Sequence, residues 1–402
     1  MRPMRARLRA PGPHLGPLPV SNLVILEVGL ALGLGVLAVD TALWGAALFV
    51  ALVTVPLALG RWHGRWMVRW IQLTSRYLAR SPGKSLSHGD PSLAGGDSRL
   101  ALLSLLIPDL IVAHGADQQR EPVGFAWHQG TWAAVLEVEA TPSMIAPVGA
   151  TAGLPLGALT SCLQDRGVVL DSIQVIWHCY PGNAALPSSP ALRSYLEVLG
   201  PLPAAARRTT WIAVRLDPRR CPAAVAERGG GVIGCHRALI AALSRVRATL
   251  GSRGIPARPL DAEQLLRAGI CAAELSAVIG AAGTRPPVTV SEGWTTVTAA
   301  GVGHASYAIT GWETTGAVHN LNALTGVRAL STTVALSISP EEGGTEVGLR
   351  GLVRISARDP AELTAADTRL QSVSQRLGLT LRPLGGLQAA GLAATLPLGA
   401  SG

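Results

Sequence analysis

One motif in this chain has the residue types of a phosphate-binding loop. Residues 83–85 read Gly-Lys-Ser, which is the end of the loop that wraps nucleotide phosphates in many hydrolases. That loop also needs a glycine five residues before Gly83, and Leu78 stands there. Lys84 is the only lysine, so the chain has no second loop of this type. The sequence therefore argues against nucleotide hydrolysis.

A second glycine motif lies further along the chain. Gly229, Gly231 and Gly234 match the G-x-G-x-x-G spacing of dinucleotide-binding sites and precede a predicted helix. Such sites need a strand directly before the glycines, whereas a stretch containing proline and arginine follows the strand predicted to end at Leu216. A loop at a helix start explains the pattern better. The alternative hypothesis is a membrane-anchored glycosyltransferase-like or nucleotide-binding enzyme that uses the loop from Gly229 to Gly234.

Other residue types found in active sites do not form a recognisable set. The chain has no Asp-x-Asp of the kind that metal-dependent sugar transferases use, and no Gly-x-Ser-x-Gly. His178-Cys179 and Cys235-His236 could supply nitrogen and sulfur ligands to a metal. Neighbours on a strand point to opposite faces, so core packing is the favoured role of the first pair. We predict no catalytic residue, no metal site and no cofactor.

Two long apolar runs near the N-terminus predict membrane spans. Residues 23–39 contain one charge, Glu27, and residues 42–59 contain none. Each run is long enough to cross the hydrocarbon core as a helix. Only Asp40 and Thr41 separate them. The sequence therefore predicts an antiparallel two-helix transmembrane hairpin at residues 21–60.

The positive charge of the chain is concentrated beside these runs. Residues 1–84 carry ten basic and two acidic residues, whereas residues 85–402 carry 24 basic and 23 acidic residues. Because Lys and Arg resist translocation, we expect two spans in the inner (plasma) membrane with both termini cytoplasmic. A cleaved signal peptide is the competing interpretation, and the second apolar run argues against it. The near-neutral remainder argues against nucleic acid as a partner.

Three residues of the first apolar run could have a role beyond spanning. Gly29 and Gly33 form a GxxxG surface that lets another helix approach closely. The sequence leaves open whether that helix belongs to the same hairpin or to another subunit. Glu27 lies about one turn from the cytoplasmic end, where we favour a carboxylate that reaches the interface or pairs with arginine over a proton relay.

Arginine and tryptophan alternate with a spacing of four residues directly after the second run. The series consists of Arg61, Trp62, Arg65, Trp66, Arg69 and Trp70. On a continuing helix it would place adjacent stripes of guanidinium and indole at the membrane surface, where Trp suits the headgroup level and Arg suits anionic lipid. Contact with membrane lipids alone and docking of a neighbouring subunit both fit this pattern.

The chain divides into segments by composition and hydrophobic pattern. We predict a basic cytoplasmic N-terminus at 1–20, the hairpin at 21–60, an Arg/Trp helix at 61–82 and a Gly/Ser/Pro-rich flexible linker at 83–98. A cytoplasmic domain follows at 99–402, with possible lobes at 99–285 and 286–402. Its interleaved strands and helices predict a mixed α/β (α+β) fold.

The predicted elements of that domain are as follows. Strands are expected at 123–127, 132–139, 173–180, 209–216, 294–299, 306–310, 327–338, 347–356 and 379–382. Helices are expected at 190–199, 234–250, 262–268 with Asp261 as N-cap, and from Asp359-Pro360 to about residue 377.

Several segments resemble a known family. They are the Arg/Trp segment at 61–70, Thr-Trp-Ile-Ala-Val-Arg-Leu-Asp-Pro at 210–218, the glycine loop at 229–231 leading into 238–243, Ala-Arg-Pro-Leu at 257–260, and Gly-Leu-Ala-Ala-Thr-Leu-Pro-Leu-Gly at 391–399. In these the chain resembles EccE, a core membrane component of mycobacterial type VII (ESX) secretion systems. The fifth ESX system is the one we expect. None of these segments is a catalytic signature.

The resemblance implies a non-catalytic structural subunit. Its partners would be the EccB, EccC and EccD subunits of a hexameric membrane complex, with EccC as the ATPase. It also implies a cytoplasmic domain distantly similar to glycosyltransferase folds without their catalytic residues. An adaptor that recognises secreted substrates is a further hypothesis that the sequence does not separate from a scaffold.

Overall fold

The computed structural model divides the chain into two compact units. One, called here the helical unit, lies within residues 9–81, and the other, called here the sheet unit, lies within residues 82–402. The structure describes residues 14–15, 18–62, 65–80, 83–86, 97–139, 154–180, 207–279, 288–311, 321, 323–341 and 347–400.

Three helices make up most of the helical unit: α1 (Val20–Val39), α2 (Trp44–Leu59) and α3 (Met67–Leu78). A 3₁₀ turn at Thr41–Leu43 joins the first two, and the side chain of Asp40 caps it by accepting from the amide of Ala42 at 2.9 Å. By length and composition, α1 is the helix in the described chain that could cross a membrane. The predicted apolar helices are confirmed as elements, whereas two complete spans stay a prediction because α2 has 16 residues.

Contacts along α1 and α2 show that these helices pack antiparallel. Asn22 at the start of α1 is buried and donates from Nδ2 to the carbonyl oxygen of Ala58 at 2.7 Å. That carbonyl belongs to the last turn of α2 and has no acceptor role inside the helix. Further along, Gly29 lies against Thr54, whose side chain a Cβ on the glycine would meet at 2.1 Å.

The helix does not continue from α2 through the Arg/Trp series, contrary to the sequence-based prediction. Arg61–Trp62 and Arg65–Trp66 are two antiparallel strands of two residues each, called here the two-residue pair. The helix resumes only at Met67. The break begins at Gly60, which has extended φ and ψ of −70° and 140° and donates its amide to Pro56. Glycine is a poor helix former, and a Cβ at this position would meet the Pro56 carbonyl oxygen at 2.2 Å.

One large sheet organises the other unit. Its strands are β1 (Gly83–Leu86), β2 (Ile111–Ala116), β3 (Pro122–His128), β4 (Thr131–Val138), β5 (Ser172–Tyr180), β6 (Arg207–Leu216), β7 (Ala257–Pro259), β8 (Val288–Glu292), β9 (Val297–Ala299), β10 (Val302–Gly311), β11 (Ser331–Pro340), β12 (Val347–Ala357) and β13 (Thr380–Pro383). Their order is β1-β8-β9-β10-β12-β11-β5-β6-β4-β3-β2, with β7 beside β4 and β13 beside β10. Every pairing described in this sheet is antiparallel.

Helices of the sheet unit connect or follow these strands. They are α4 (Ser98–Leu106), α5 (Leu156–Leu159), α6 (Pro222–Glu227), α7 (Gly231–Gly251), α8 (Ala262–Ala272), α9 (Ser276–Ile279), α10 (Pro360–Arg376) and α11 (Gln388–Ala394). Strands and helices interleave along the chain, which confirms the predicted mixed α/β class. The predicted helix at 190–199 lies outside the described residues.

The central strands are buried on both faces because helices cover the sheet from both sides. One face of β5, with Ile173, Val175 and Trp177, belongs to a core that includes buried residues of α7 and α10. The opposite face, with Ile176, belongs to a second core that includes α4, α8 and α11. Strands in such a middle layer are expected to carry apolar residues on both faces. The middle of each strand does so, with Val-Ile-Trp at 175–177 in β5 and Trp-Ile-Ala-Val at 211–214 in β6, whereas polar residues stand toward the strand ends.

Helix caps follow the sequence signals closely. Asp261 forms a capping box with Gln264 at the start of α8, accepting from its amide at 2.8 Å. Asp359 caps α10, whose first residue is Pro360. Both N-caps were predicted, and a side-chain oxygen that satisfies the free amides of the first turn explains them.

Two parts of the structure bear on the predicted segment boundaries. Residues 83–86, within the predicted linker, form β1 and pair with Val288–Ser291 of β8. Strands from both predicted lobes belong to the same sheet, because β11 pairs with β5 on one side and β12 on the other. The lobe boundary near residue 285 therefore does not coincide with a break in the sheet.

A close approach between α6 and α7 predicts an unequal response of two glycines. A Cβ at Gly234 would meet the carbonyl oxygen of Val225 at 2.3 Å, whereas a Cβ at Gly251 in the same helix meets nothing within 4 Å. We expect Gly234→Ala to lower stability by about 1–3 kcal/mol through overpacking. Gly251→Ala should leave stability unchanged or raise it by up to ~1 kcal/mol. Thermal unfolding of the full-length chain in detergent compares the two, and equal Tm values would contradict the packing described.

Candidate functional site

The glycines and the glutamate predicted to matter in the first apolar helix occupy different faces of α1. Gly29 is buried against α2, and Gly33 is half-buried at a position where a Cβ would lie 4.0 Å from the carbonyl oxygen of Ala47. Glu27 is exposed. A Cβ at Gly35 would have nothing within 4 Å. Of the two alternatives for the GxxxG surface, these contacts favour packing of α1 on α2.

The Arg/Trp series spans the two-residue pair and the first turn of α3. The guanidinium carbon of Arg61 lies 4.2 Å from the ring centroid of Trp66, a cation–π contact. Arg69 is exposed on α3, and Trp70 is half-buried one position later. Trp62 and Arg65 belong to the pair by their backbone. The helix therefore presents an exposed arginine next to a half-buried indole, although over a shorter length than the sequence predicts.

The glycine motif forms a turn into α7 that differs from a dinucleotide site. Gly229, Gly230 and Gly231 all have positive φ, at 109°, 68° and 51°. The residues before them form a 3₁₀ turn at Pro218–Arg220 and helix α6, so no strand leads into the glycines. Dinucleotide-binding loops place the phosphates between a strand end and a helix start. The arrangement does not support the alternative hypothesis of a nucleotide-binding enzyme.

A cavity of about 380 Å³ opens beside this turn. Its walls come from the start of β4, the 3₁₀ turn, α6 and the first residues of α7, with Trp132, Pro222 and Val225 among the lining residues. The lining side chains are apolar except for the thiol of Cys235, and burial raises the pKa of that thiol. Such a recess fits an apolar side chain rather than a phosphate.

The two His/Cys pairs do not come together. On one face of the sheet, Nδ1 of His178 forms a hydrogen bond of 2.8 Å with Oγ1 of Thr333. His236 stacks on Phe125 with ring centroids 4.0 Å apart, and Phe125 belongs to the core on the other face. Within the described residues, no group of three or more His, Cys, Asp or Glu side chains could hold a metal.

A buried arginine at the centre of the sheet is a feature that the sequence analysis missed. Arg354 on β12 is fully buried, and its Nη2 donates to the carbonyl oxygen of Ala272 at 2.5 Å and to Oγ1 of Thr333 at 2.9 Å. Its Nε and Nη1 have no hydrogen-bond partner in the described part of the chain. Burial lowers the pKa of Arg354 to about 10, and the nearby Glu274 opposes this shift.

Glu274 lies beside this arginine at the end of α8. Its backbone φ is 60°, which is uncommon for a residue with a side chain. Oε2 accepts from the hydroxyl of Tyr180 at 3.3 Å, and Oε1 lies 3.7 Å from Nε2 of His178. Burial raises the pKa of the Glu274 carboxyl and also that of the Tyr180 hydroxyl. Such a carboxyl can hold a proton in the protein interior.

Another histidine extends this polar cluster along the same sheet face. His304 on β10 is fully buried, with Nδ1 2.9 Å from Oγ of Ser356. Burial and the nearby Arg354 hold the pKa of His304 well below its usual range, so the ring is neutral. His178, Glu274, His304 and Arg354 thus link α8 to four neighbouring strands, β5, β11, β12 and β10.

The sequence matches a family described as the EccE component of the type VII ESX secretion system translocon. The family model matches residues 204–309. This range contains β6, the glycine turn, α7, α8 and most of β10.

Curated relatives carry the same name. The ESX-1 secretion system protein EccE1 of Mycobacterium tuberculosis H37Rv is 26% identical over 230 residues, covering 54% of this chain and 44% of the relative. The ESX-5 secretion system protein EccE5 of Mycobacterium marinum is 29% identical over 295 residues, covering 69% and 65%. The ESX-1 protein EccE1 of Mycolicibacterium smegmatis is 42% identical over 64 residues, covering 16% and 14%. The match thus spans less than half of the EccE1 sequence from M. tuberculosis.

The packing of α1 on α2 predicts different effects for two glycines on α1. Gly29→Leu should separate the helices, because Thr54 already occupies the space where a Cβ would lie. Gly35→Leu should leave the pair intact, since nothing lies within 4 Å of that position. Disulfide crosslinking between cysteines introduced at Asn22 and Ala58 in native membranes measures the pairing. A crosslink yield that falls equally in both variants would contradict this helix interface.

The raised pKa of Glu274 predicts a pH-dependent stability difference. The folded state binds the Glu274 proton more readily than the unfolded state, so this group favours folding at low pH and less so as the pH rises above the ordinary carboxyl pKa. Glu274→Gln keeps the neutral form at every pH. Its Tm relative to the unmodified chain should therefore rise between pH 5 and pH 8, by roughly 2–4 °C for each 1 kcal/mol of linkage.

The exposed Glu263 on α8 provides the matched control for this measurement. Glu263→Gln removes a carboxylate from the same helix without removing a buried one, so its relative Tm should not depend on pH in this way. A Glu274→Gln profile parallel to that of the unmodified chain would show that the buried carboxyl does not titrate as described.

Proposed function

Because the chain belongs to the EccE family, we propose that it is a non-catalytic structural subunit of a type VII secretion membrane complex. In this role it anchors the sheet unit at the cytoplasmic face of the plasma membrane and contributes to assembly or stability of the export machine. Its partners are subunits of the EccB, EccC and EccD types and the membrane lipids themselves.

The similarity to EccE1 and EccE5 carries this proposal. It extends over 54% and 69% of the chain, and the family model covers the part of the sheet unit that contains the glycine turn. Proteins with this name belong to ESX-1 and ESX-5 secretion systems. Both systems occur among the relatives, so assignment to the fifth stays a prediction.

The helical unit supplies the proposed membrane attachment. Most large apolar side chains of α1 and α2 are exposed in the isolated chain, among them Leu30, Leu34, Phe49 and Leu52. Apolar surface of this extent needs an apolar environment, which a bilayer provides. With α1 and α2 antiparallel and arginines on both flanks, both termini lie on the cytoplasmic side.

The start of α3 supplies the proposed contact at the membrane surface. Trp66 directly precedes α3 and Trp70 lies in its first turn, both half-buried, and Arg61 and Arg69 accompany them. Indole rings favour the headgroup region, and guanidinium groups bind lipid phosphates or acidic side chains of a neighbouring subunit. The same surface therefore serves either lipid or subunit contact.

The polar cluster around Arg354 fits a structural role. Its hydrogen bonds run between α8 and the strands that α8 covers, as in the bond from Arg354 to the carbonyl oxygen of Ala272. Such bonds fix the position of a helix on a sheet. They hold the fold that the proposed scaffold presents to its neighbours.

Charge reversal in the Arg/Trp series tests this proposal. Arg65→Glu combined with Arg69→Glu in the full-length tagged chain should reduce co-purification of the EccB-, EccC- and EccD-type subunits by roughly fivefold or more after gentle detergent extraction. Arg267→Glu, which alters an exposed arginine of α8, should leave recovery unchanged. The amount of tagged chain in the membrane fraction separates failed insertion from failed incorporation. Subunit recovery that stays equal in all three proteins would remove this surface from the proposed function.

A further inference from the structure

Two apolar side chains are exposed side by side in the first turn of α7. Val232 and Ile233 have relative exposures of 54% and 61%. In the described part of the sheet unit, Ile111 is the other large aliphatic side chain with comparable exposure. A helix start normally carries polar or acidic residues that satisfy its free amides, but Gly230 provides no side-chain cap and the first turn has no acid. Stability alone does not explain this composition.

The exposed pair borders the cavity of about 380 Å³ described above. Val232 belongs to the lining, together with Trp132 at the start of β4 and Val225 on α6. A volume of this size is at the lower end of the range for small-ligand pockets and has room for a large apolar side chain. The exposed ridge and the adjacent recess form one continuous apolar surface, which we call the α7 entrance.

Arginines flank the segments that line the α7 entrance, and in the described chain Arg228 and Arg237 donate to carbonyl oxygens and form no ion pair with a carboxylate. Arg228 donates to the carbonyl oxygens of Ala224 at 2.7 Å and Arg166 at 3.3 Å, and Arg237 donates to that of Arg228 at 3.0 Å. Carbonyl oxygens position these guanidinium groups but do not neutralise them. Arg219 follows the lining residue Pro218 and is exposed, and Arg166, whose carbonyl oxygen accepts from Arg228, is exposed as well.

Basic side chains outnumber acidic ones beside the α7 entrance. The carboxylates of Asp217 and Glu227 offset part of the arginine charge, and Asp217 is already engaged as the cap of the 3₁₀ turn. The free amides at the start of the 21-residue helix α7 add further positive potential. An apolar recess within a positive rim complements an acidic segment that carries an apolar side chain.

From this geometry we propose that the α7 entrance binds an acidic segment of another subunit of the secretion complex. A large apolar side chain of that segment fills the cavity between Trp132 and Val232, and carboxylates on either side bind Arg219, Arg228 and Arg237. The concave recess favours a protein segment over a lipid surface, because a side chain can fill a recess and a bilayer surface cannot. This inference rests on the proposed function, since it requires membership of the complex.

Photo-crosslinking from the full-length chain within its complex tests the proposal. The probe is p-benzoylphenylalanine at Val232, with the same probe at Arg253 as control, since Arg253 is exposed beyond the other end of α7. Crosslinked peptides are identified by mass spectrometry after purification of the complex. We expect a Val232 crosslink to a segment of another subunit that contains several Asp or Glu residues around an apolar residue. We also expect Arg219→Glu with Arg237→Glu to lower its yield by roughly fivefold or more.

Other crosslinking results would contradict the proposal. A Val232 crosslink to lipid, to a second copy of this chain, or to a segment without acidic residues overturns the proposal. So does a yield no higher than that at Arg253 in a complex that contains the chain, and this result leaves the proposed function intact. Absence of the chain from the purified complex overturns both the proposed function and this inference.

Discussion

Burial of the central strands on both faces is the constraint on which the rest of the sheet unit depends. A strand such as β5, which carries large apolar side chains on both faces, is stable only when helices cover the sheet from both sides. The covering helices need close contact, and α7 achieves it with Ala238 and Ala242, which are completely buried. The connections β6–β7, β7–β8 and β12–β13 contain the helices α7, α8 and α10 that provide this cover, and the start of α7 is exposed.

The same constraint makes the polar cluster around Arg354 unusual. A guanidinium in the middle layer costs several kcal/mol of desolvation unless hydrogen bonds and an opposite charge compensate it. Thr333 comes from the neighbouring strand, but the carbonyl oxygen of Ala272 and the carboxyl of Glu274 come from the end of α8. Burying Arg354 therefore requires that α8 end at this place on the sheet. The left-handed backbone conformation of Glu274 brings its carboxyl toward the cluster at a cost that the cluster offsets.

Local signals explain which parts of the fold could be predicted from the sequence. Asp261 and Asp359 indicated helix starts because capping depends on residues a few positions apart. The helix α4 and the strand β8 were missed, since short apolar segments lack a clear period. The Arg/Trp series was predicted as helix from its spacing of four, but Gly60 ends α2 and the helix resumes only at Met67.

The candidate sites depend on contacts that no local pattern records. His178, Glu274, His304 and Arg354 come from four separate elements, and only the pairing of β5, β11, β12 and β10 brings them to one face. The strand sequence around Arg354 even points the other way. Arg354 alternates with Val353 and Ile355, a pattern typical of a strand whose polar residue faces solvent, and only the helix α8 on that face buries the arginine.

The net charge of residues 85–402 does not show how their charged side chains are distributed on the surface. Residues 85–402 are nearly neutral, and on that ground nucleic acid is not expected as a partner. The folded chain nevertheless brings Arg237 to the carbonyl oxygen of Arg228 beside the glycine turn that lines one apolar recess, and Arg219 follows the lining residue Pro218. Electrostatic attraction over a few ångströms depends on this local arrangement and not on the sum over the domain. A nearly neutral domain can therefore present a surface that is selective for acidic protein segments.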